Sequence, residues 1–165
     1  MRTKLVLIRS AAFAALFVVV VGLTGCAQQL IPNTDVEDND FNRRVVAFCE
    51  EYRKALERRN TALLLQLADS RYYEDGGNID ATDDLDYAGL KAYLDGKFRE
   101  TRAIRYEIRY RRVGQGRDDV VYVDYTYSAS YKIPTEAGDV WRRRVADNRL
   151  ELLPNGDSFK ILSGM

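Results

Sequence analysis

Residues 120–131 read VVYVDYTYSASY, and this stretch decides the fold class. Its apolar and aromatic side chains alternate with polar ones, which is the period of a β-strand with one buried side and one solvent-facing side. The apolar side carries Val121, Val123, Tyr125, Tyr127 and Tyr131. Valine, tyrosine and threonine favour strands because they fit a pleated surface. The stretch therefore predicts a long strand of a sheet that is buried on one side.

Similar patterns flank this strand in the sequence. Residues 104–111 alternate apolar and charged side chains, and a Gly-Gln-Gly turn at 114–116 follows them. A third strand is predicted at 140–153, and a Pro-Asn-Gly-Asp turn at 154–157 separates it from a short strand at 159–162. The predicted anchors of the third strand are Trp141, Val145, Leu150 and Leu152. Short turns between consecutive strands predict an antiparallel meander.

Three helices are predicted before the sheet. Apolar side chains recur every three to four residues over 41–58, which predicts a first helix with Asp40 as its N-cap. Asn60 can cap a second, short helix, and Thr82 or Asp83 a third. Helices first and strands afterwards indicate an α+β fold with the helices on one side of the sheet.

The first 25 residues have the pattern of an export signal. Arg2, Lys4 and Arg9 stand near the start without any acid, and residues 11–23 are apolar apart from a glycine. A transmembrane helix is the alternative, but this apolar run is shorter than the ~20 residues that a bilayer span needs. Leu23-Thr24-Gly25-Cys26 follows, with a small residue directly before the cysteine.

This motif resembles the lipobox of bacterial lipoproteins. The resemblance implies that residues 1–25 are a signal peptide and that Cys26 carries diacylglycerol at the new N-terminus. Ala27, rather than an aspartate, favours sorting to the outer membrane, facing the periplasm. Residues 26–39 have little apolar periodicity, so the sequence predicts the lipidated cysteine and a flexible tether there, followed by a single domain at 40–165.

Composition narrows the range of functions. The chain has 25 basic and 25 acidic residues, and loss of the signal would leave the mature form mildly acidic. A nucleic-acid partner is therefore not expected. The chain contains no histidine, the most common general base and metal ligand, so neither a metal nor another cofactor is expected. Cys49 lies among apolar residues and is predicted to be a buried thiol.

The order of elements, together with two short motifs, resembles the NTF2-like superfamily, which is also described as SnoaL-like or cystatin-like α+β. The motifs are the YYEDGG loop at 72–77 and the closing FKILSGM at 159–165. The resemblance implies a cone in which a curved antiparallel sheet wraps around helices and encloses a cavity. It does not choose a function, because this fold supports many.

Tyrosines are the most prominent candidates for a pocket. The candidate pocket-lining residues are Tyr72, Tyr73, Tyr106, Tyr110, Tyr125 and Tyr127. They could bind a small apolar ligand, or they could be core aromatics with hydroxyls at the rim. No catalytic residue is assigned. The sequence favours an envelope lipoprotein without catalysis that binds a small ligand or a protein partner, and whose outer sheet face could form a homodimer. The alternative is an isomerase- or dehydratase-type enzyme that uses tyrosine and aspartate as acid–base groups.

Arginines are frequent on the predicted strands. They are Arg105, Arg109, Arg111, Arg112, Arg142, Arg143 and Arg144. They could hold anionic lipid head groups, or they could lie on a solvated sheet face beside Glu107, Asp147 and Glu151. The sequence favours the solvated face, because the net charge does not support a polyanionic partner.

Overall fold

The computed structural model describes residues 29–76, 82 and 84–165. The helices are α1 Asp40–Glu57, α2 Thr61–Leu67 and α3 Tyr87–Arg99. The strands are β1 Tyr73–Glu74, β2 Leu85–Asp86, β3 Ala103–Gln115, β4 Val121–Thr135, β5 Gly138–Asn155 and β6 Ser158–Ser163. The predicted signal peptide and Cys26 lie outside the described residues. Among the helices that are described, none is both long and apolar enough to cross a bilayer.

The predicted α+β meander is confirmed. Strands β3, β4, β5 and β6 form one antiparallel sheet in chain order, while β1 and β2 pair separately. Helix α1 packs against β3, and α2 packs against α1 and α3. The turn between β3 and β4 lies slightly later than predicted, at 116–120, where Asp118 and Asp119 adopt positive φ angles. A bulge at Arg111 interrupts the β3–β4 register.

The inner face of the sheet is the side that the helices cover. Tyr125, Val123 and Val121 are at most 1 % exposed, as the alternation in β4 predicts. Leu150 and Leu152 of β5 are also fully buried. The prediction of Trp141 and Val145 as buried anchors is wrong, because they are 44 % and 57 % exposed. They pair with Lys132 and Ser128 of β4, which places them on the outer face.

Each helix begins directly after a residue whose side chain caps its N-terminus. Asn39, rather than Asp40, caps α1 by accepting a hydrogen bond from the Asn42 amide at 2.8 Å. Asn60 caps α2 as predicted. Helix α3 starts later than predicted, with Asp86 as its cap, because residues 85–86 first pair with β1.

Residues 29–39 form a folded loop where the sequence predicted a flexible tether. Leu30 and Glu37 form an antiparallel bridge, and Val36 is 2 % exposed. The Asp35 amide donates a hydrogen bond to the Tyr110 carbonyl of β3 at 2.9 Å. The loop therefore covers part of the edge strand, whose backbone groups would otherwise lack partners.

Charge also holds this loop on the sheet. The Asp35 carboxylate accepts hydrogen bonds from Arg109 Nη2 at 2.5 Å and Arg111 Nη1 at 2.9 Å. These two guanidinium groups hold the pKa of Asp35 below its usual value. The partners are far away in sequence, so the local composition of 26–39 could not indicate the contact.

Candidate functional site

A cavity of about 460 Å³ lies between the helices and the inner face of the sheet. Its walls combine aromatic and aliphatic side chains with a few polar groups. The lining residues are Tyr52, Leu56, Tyr93, Leu94, Lys97, Phe98, Glu100, Thr101, Ile104, Tyr106, Tyr127, Tyr131, Ile133, Arg144, Asn148 and Met165. Inward-facing residues of β3, β4 and β5 form one wall, and side chains of α1 and α3 form the other.

A cluster of hydroxyl groups forms the base of the cavity. The Tyr125 hydroxyl accepts a hydrogen bond from Asn148 Nδ2 at 3.0 Å and also interacts with the hydroxyls of Tyr52 and Tyr106. Burial raises the pKa of Tyr125 to about 12, although these hydrogen bonds act in the opposite direction. Burial also raises the pKa of Tyr52 and Tyr106. All three phenols are therefore neutral hydrogen-bonding groups near neutral pH.

Two stacked tyrosines form the aromatic part of the wall. The rings of Tyr106 and Tyr127 lie nearly parallel, with centroids 5.2 Å apart and an interplanar angle of 12°. Ile108 of β3 pairs directly with Tyr127, and Tyr106 with Ala129, so the two tyrosines are diagonal neighbours on one face. The stack is available to the apolar body of a ligand.

Charged side chains lie at the solvent-exposed part of the cavity. Lys97 of α3 and Arg144 of β5 both reach solvent, and Lys97 Nζ is 5.6 Å from the Tyr93 ring centroid. Burial raises the pKa of the Tyr131 phenol, and the nearby positive charge of Arg144 lowers it. Glu100 is the carboxylate among the lining residues. The lining side chains thus carry two positive charges and one negative charge.

Gly164 brings the end of the described chain into this wall. Its amide donates a hydrogen bond to Glu74 Oε2 at 2.7 Å, and its carbonyl accepts one from Asn148 at 3.0 Å. Its φ angle is +90°, and a Cβ atom here would be 1.9 Å from the Arg149 carbonyl oxygen. Glycine is therefore required for this path, which places Met165 against the cavity. This gives a physical reason for the glycine in the closing motif.

The structure separates the six candidate tyrosines into two groups. Tyr106 and Tyr127 line the cavity, and the Tyr125 hydroxyl interacts with the lining residues Tyr52, Tyr106 and Asn148. Tyr110 lies elsewhere, with its hydroxyl donating to Glu50 Oε1 at 2.8 Å. Tyr72 is buried in the core, and Tyr73 is 50 % exposed with its hydroxyl on Asp84. Tyrosines on the same face of the sheet therefore do not all line the same cavity.

Arg144 is one of the lining residues that the sequence interpretation placed elsewhere. It was predicted to lie on a solvated face with Arg143, but the register pairs it with the fully buried Ala129 on the inner face. Its sequence neighbour Arg143 points outward, where it donates to Ser128 at 3.1 Å. Counting back from Leu150 in steps of two could have placed Arg144 correctly, because β5 pairs with β4 without a bulge.

The chemistry that the cavity can supply is mainly that of binding. Its lining side chains include one carboxylate and several phenols. Asp75, the aspartate of the YYEDGG loop, is not a lining residue. Within the described residues, no group of three or more aspartate, glutamate, cysteine or histidine side chains could hold a metal ion. Cys49 is fully buried, as predicted, and burial raises the pKa of its thiol.

Comparison with known proteins gives matches in structure. No protein-family model matches the chain, and no curated protein matches it. Among solved structures, Aln2 from a Streptomyces species superposes with a TM-score of 0.59 at 12 % identity, covering 79 % of this chain and 91 % of that one. A proposed dehydratase from the NTF2-like family of Streptomyces avermitilis gives a TM-score of 0.58 at 13 % identity, with 74 % and 92 % covered.

A third similar structure comes from Xanthomonas campestris. It is described as a proposed association domain of calcium/calmodulin dependent protein kinase II, and it superposes with a TM-score of 0.60 at 14 % identity, covering 83 % of this chain and 90 % of that one. These similarities show that the domain has an NTF2-like fold, as the sequence resemblance implied. At such identities, the likeness concerns the fold.

Proposed function

We propose that this NTF2-like domain binds a small, largely apolar ligand in the tyrosine-lined cavity, as part of an exported lipoprotein. The observation that supports binding is the cavity itself. Its volume of about 460 Å³ lies within the range of roughly 300–1,000 Å³ that is typical of ligand sites. Its walls are mostly aromatic and aliphatic, and its few polar groups lie at the base and at the exposed part, where they could orient a ligand.

The enzyme alternative has weaker support from the same geometry. General acid–base catalysis works best with groups whose pKa lies near the working pH. Burial raises the pKa of Tyr52, Tyr106 and Tyr125 away from neutrality, and Glu100 is the carboxylate that the lining provides. Binding without catalysis is therefore the interpretation that we favour.

Attachment to a membrane through Cys26 is the second part of the proposal. The Leu23-Thr24-Gly25-Cys26 motif supports it, together with the basic and apolar segments that precede the motif. The folded loop at 29–39 limits the distance between the domain and the membrane. Leu30 already belongs to the folded loop, so the four residue steps from Cys26 to Leu30 can span at most about 14 Å. An acylated Cys26 would hold this end of the domain close to the outer membrane, on its periplasmic side.

Ligand binding predicts that filling the cavity weakens uptake of an apolar probe. We expect the Ile104→Trp variant to bind the neutral fluorophore phenylnaphthylamine at least about tenfold more weakly than the wild type, which corresponds to about 1.4 kcal/mol. Ile104 is a half-buried lining residue, so the indole would occupy the space that the probe needs. Fluorescence titration of purified protein measures the dissociation constant.

Val145→Trp is the matched control, because it adds the same side chain to the exposed outer face. Thermal unfolding of both variants shows whether they are folded. If Ile104→Trp binds the probe as tightly as Val145→Trp does, the cavity is not the binding site. Absence of probe binding by the wild type would contradict ligand binding altogether.

Lipid anchoring predicts that Cys26→Ala releases the protein from the membrane fraction. Each buried methylene of an acyl chain contributes about 0.8 kcal/mol to membrane attachment, so loss of the acylated thiol should be decisive. Fractionation of the native host after an alkaline carbonate wash measures the distribution, and mass spectrometry identifies the N-terminal residue. Cys49→Ala is the control: it removes a buried thiol and should leave the protein in the membrane pellet. Retention of Cys26→Ala in the pellet would refute the anchor.

A further inference from the structure

We infer that the ligand is an anionic amphiphile, an organic acid whose acidic group is held by Arg144 and Lys97 and whose apolar body lies against Tyr106 and Tyr127. This inference rests on the proposed function, since it names the ligand class for the same cavity. It begins from the position of Arg144, which lies on the inner face of the sheet and lines the cavity.

Most arginines of the outer face have carboxylate partners. Arg109 and Arg111 bind Asp35, while Arg112 and Arg149 bind Asp124. Arg144 lies on the opposite face, and in the described part of the chain no carboxylate lies within ion-pair distance of it. An arginine without a carboxylate partner, at the edge of an aromatic cavity, is suited to binding the acidic group of a ligand.

Arg144 has tyrosines as its neighbours on the inner face. It pairs with Ala129, and Tyr127 and Tyr131 stand two residues away on either side of that alanine, on the same face. The Arg144 charge acts on the Tyr131 phenol, and Tyr93 and Tyr127 act on that phenol as well. These side chains therefore lie close together, and an anion bound by Arg144 would have phenolic hydroxyls nearby as further donors.

Lys97 adds a second cation from the helical side of the cavity. Its ammonium group lies over the Tyr93 ring, and within the described residues it forms no ion pair with a carboxylate. Glu100 is the carboxylate side chain of the lining, so the side-chain charges there are two positive and one negative. A neutral ligand would displace water from these two cations and give them no new partner. The acidic group of an anionic ligand would replace the lost water with charge-assisted hydrogen bonds.

The apolar part of the lining indicates the chemistry of the ligand's body. Apolar side chains surround the Tyr106–Tyr127 stack, and they belong to Leu56, Leu94, Phe98, Ile104, Ile133 and Met165. Such walls favour an aromatic ring or an acyl chain over a sugar or a peptide. A ligand with a single acidic group on an apolar body matches both the charged part and the apolar part of the lining. An aromatic acid and a fatty acid both have this chemistry.

Two probes that differ in one charged group test the inference. Anilinonaphthalene sulfonate carries the aromatic body of phenylnaphthylamine plus a sulfonate. We expect the wild type to bind the sulfonate at least about tenfold more tightly than the neutral probe, and Arg144→Gln to remove most of that difference. Arg144→Gln should weaken binding of the sulfonate by a larger factor than binding of the neutral probe, since the apolar walls that hold the shared aromatic body remain. Lys97→Gln should have a smaller effect in the same direction, because Glu100 partly offsets Lys97.

Arg143→Gln is the control variant, because Arg143 is the sequence neighbour on the outer face. Equal affinity of the wild type for both probes, or equal losses in Arg143→Gln and Arg144→Gln, would overturn the inference and leave the proposed function intact. Binding of neither probe would overturn the proposed function itself. Dodecanoate and naphthoate then compete against the sulfonate: displacement by the first supports an acyl body, displacement by the second an aromatic one, and displacement by neither overturns the assignment to an organic acid.

Discussion

Ile161→Ala is expected to lower the free energy of unfolding by about 2–5 kcal/mol, the range measured for loss of a large aliphatic side chain from a core. Ile161 is fully buried in β6, opposite Leu152 of β5. Its carbonyl accepts a hydrogen bond from the Asp69 amide at 2.8 Å, which ties the segment after α2 to the last strand. The substitution would leave a void where helix and sheet meet, and surrounding atoms could fill it only in part.

Chemical denaturation followed by circular dichroism measures this loss. Val145→Ala is a control on the same sheet, because Val145 is 57 % exposed and should change stability by no more than about 0.5 kcal/mol. Similar losses in the two variants would mean that β6 does not close the core as described.

The strands were the part of the fold that the sequence predicted best. In β4, apolar and polar residues alternate, and the buried positions follow that alternation from Val121 to Ala129. The phase of β5 was harder to predict, because Trp141 and Val145 are odd-numbered and Leu150 and Leu152 are even-numbered. The register with β4 buries the even set, and exposed Trp141 instead stacks with Arg105, whose guanidinium lies 4.6 Å from its ring centroid. Apolar character alone could not decide between the two phases.

The site was predicted only in part, for a physical reason. Period-two alternation gives the face on which a residue lies, but not what covers that face. Tyr106 and Tyr110 share the inner face of β3, yet α1 supplies Glu50 to the Tyr110 hydroxyl and leaves Tyr106 beside the cavity. The position of α1 over the sheet is a tertiary property, which the spacing of residues along β3 does not contain.

The loop at 29–39 illustrates the same limit. Pro32 and a run of acids are typical of a linker, and the local sequence offers no reason for Asp35 to be fixed. Its partners, Arg109 and Arg111, lie on the edge strand 74 and 76 residues further along the chain. An acidic segment that is free when considered alone becomes ordered when the sheet presents two guanidinium groups to it.

The second large effect is expected at alkaline pH. The pKa of Tyr125 is raised from its ordinary value of 10.0 to about 12 by burial, so the folded state holds this proton more tightly than the unfolded state does. The stabilisation is fully present below pH 10 and is lost as the pH rises from 10 to about 12. For Tyr125 alone the loss amounts to about 3 kcal/mol.

Other buried tyrosines should also make the protein less stable at alkaline pH. Burial raises the pKa of Tyr52, Tyr106 and Tyr110 as well, so the stability should continue to fall as the solution becomes still more alkaline. Unfolding in denaturant at a series of alkaline pH values measures this dependence, and the ultraviolet absorbance of tyrosinate reports ionisation in the same samples. Ionisation of all the tyrosines near their ordinary pKa, with circular dichroism unchanged, would contradict a buried hydroxyl cluster.

Tyr125→Phe separates the contribution of this cluster from general alkaline effects. The variant should lose about 1–3 kcal/mol at neutral pH, because Asn148 and the neighbouring phenols lose the oxygen to which they hydrogen-bond. Between pH 10 and about 12 its stability should then fall less steeply than that of the wild type, because the most directly affected ionisable group is absent. The same substitution is thus expected to weaken the protein at neutral pH and to reduce its sensitivity to alkali, a combination that a simple packing defect at Tyr125 would not produce.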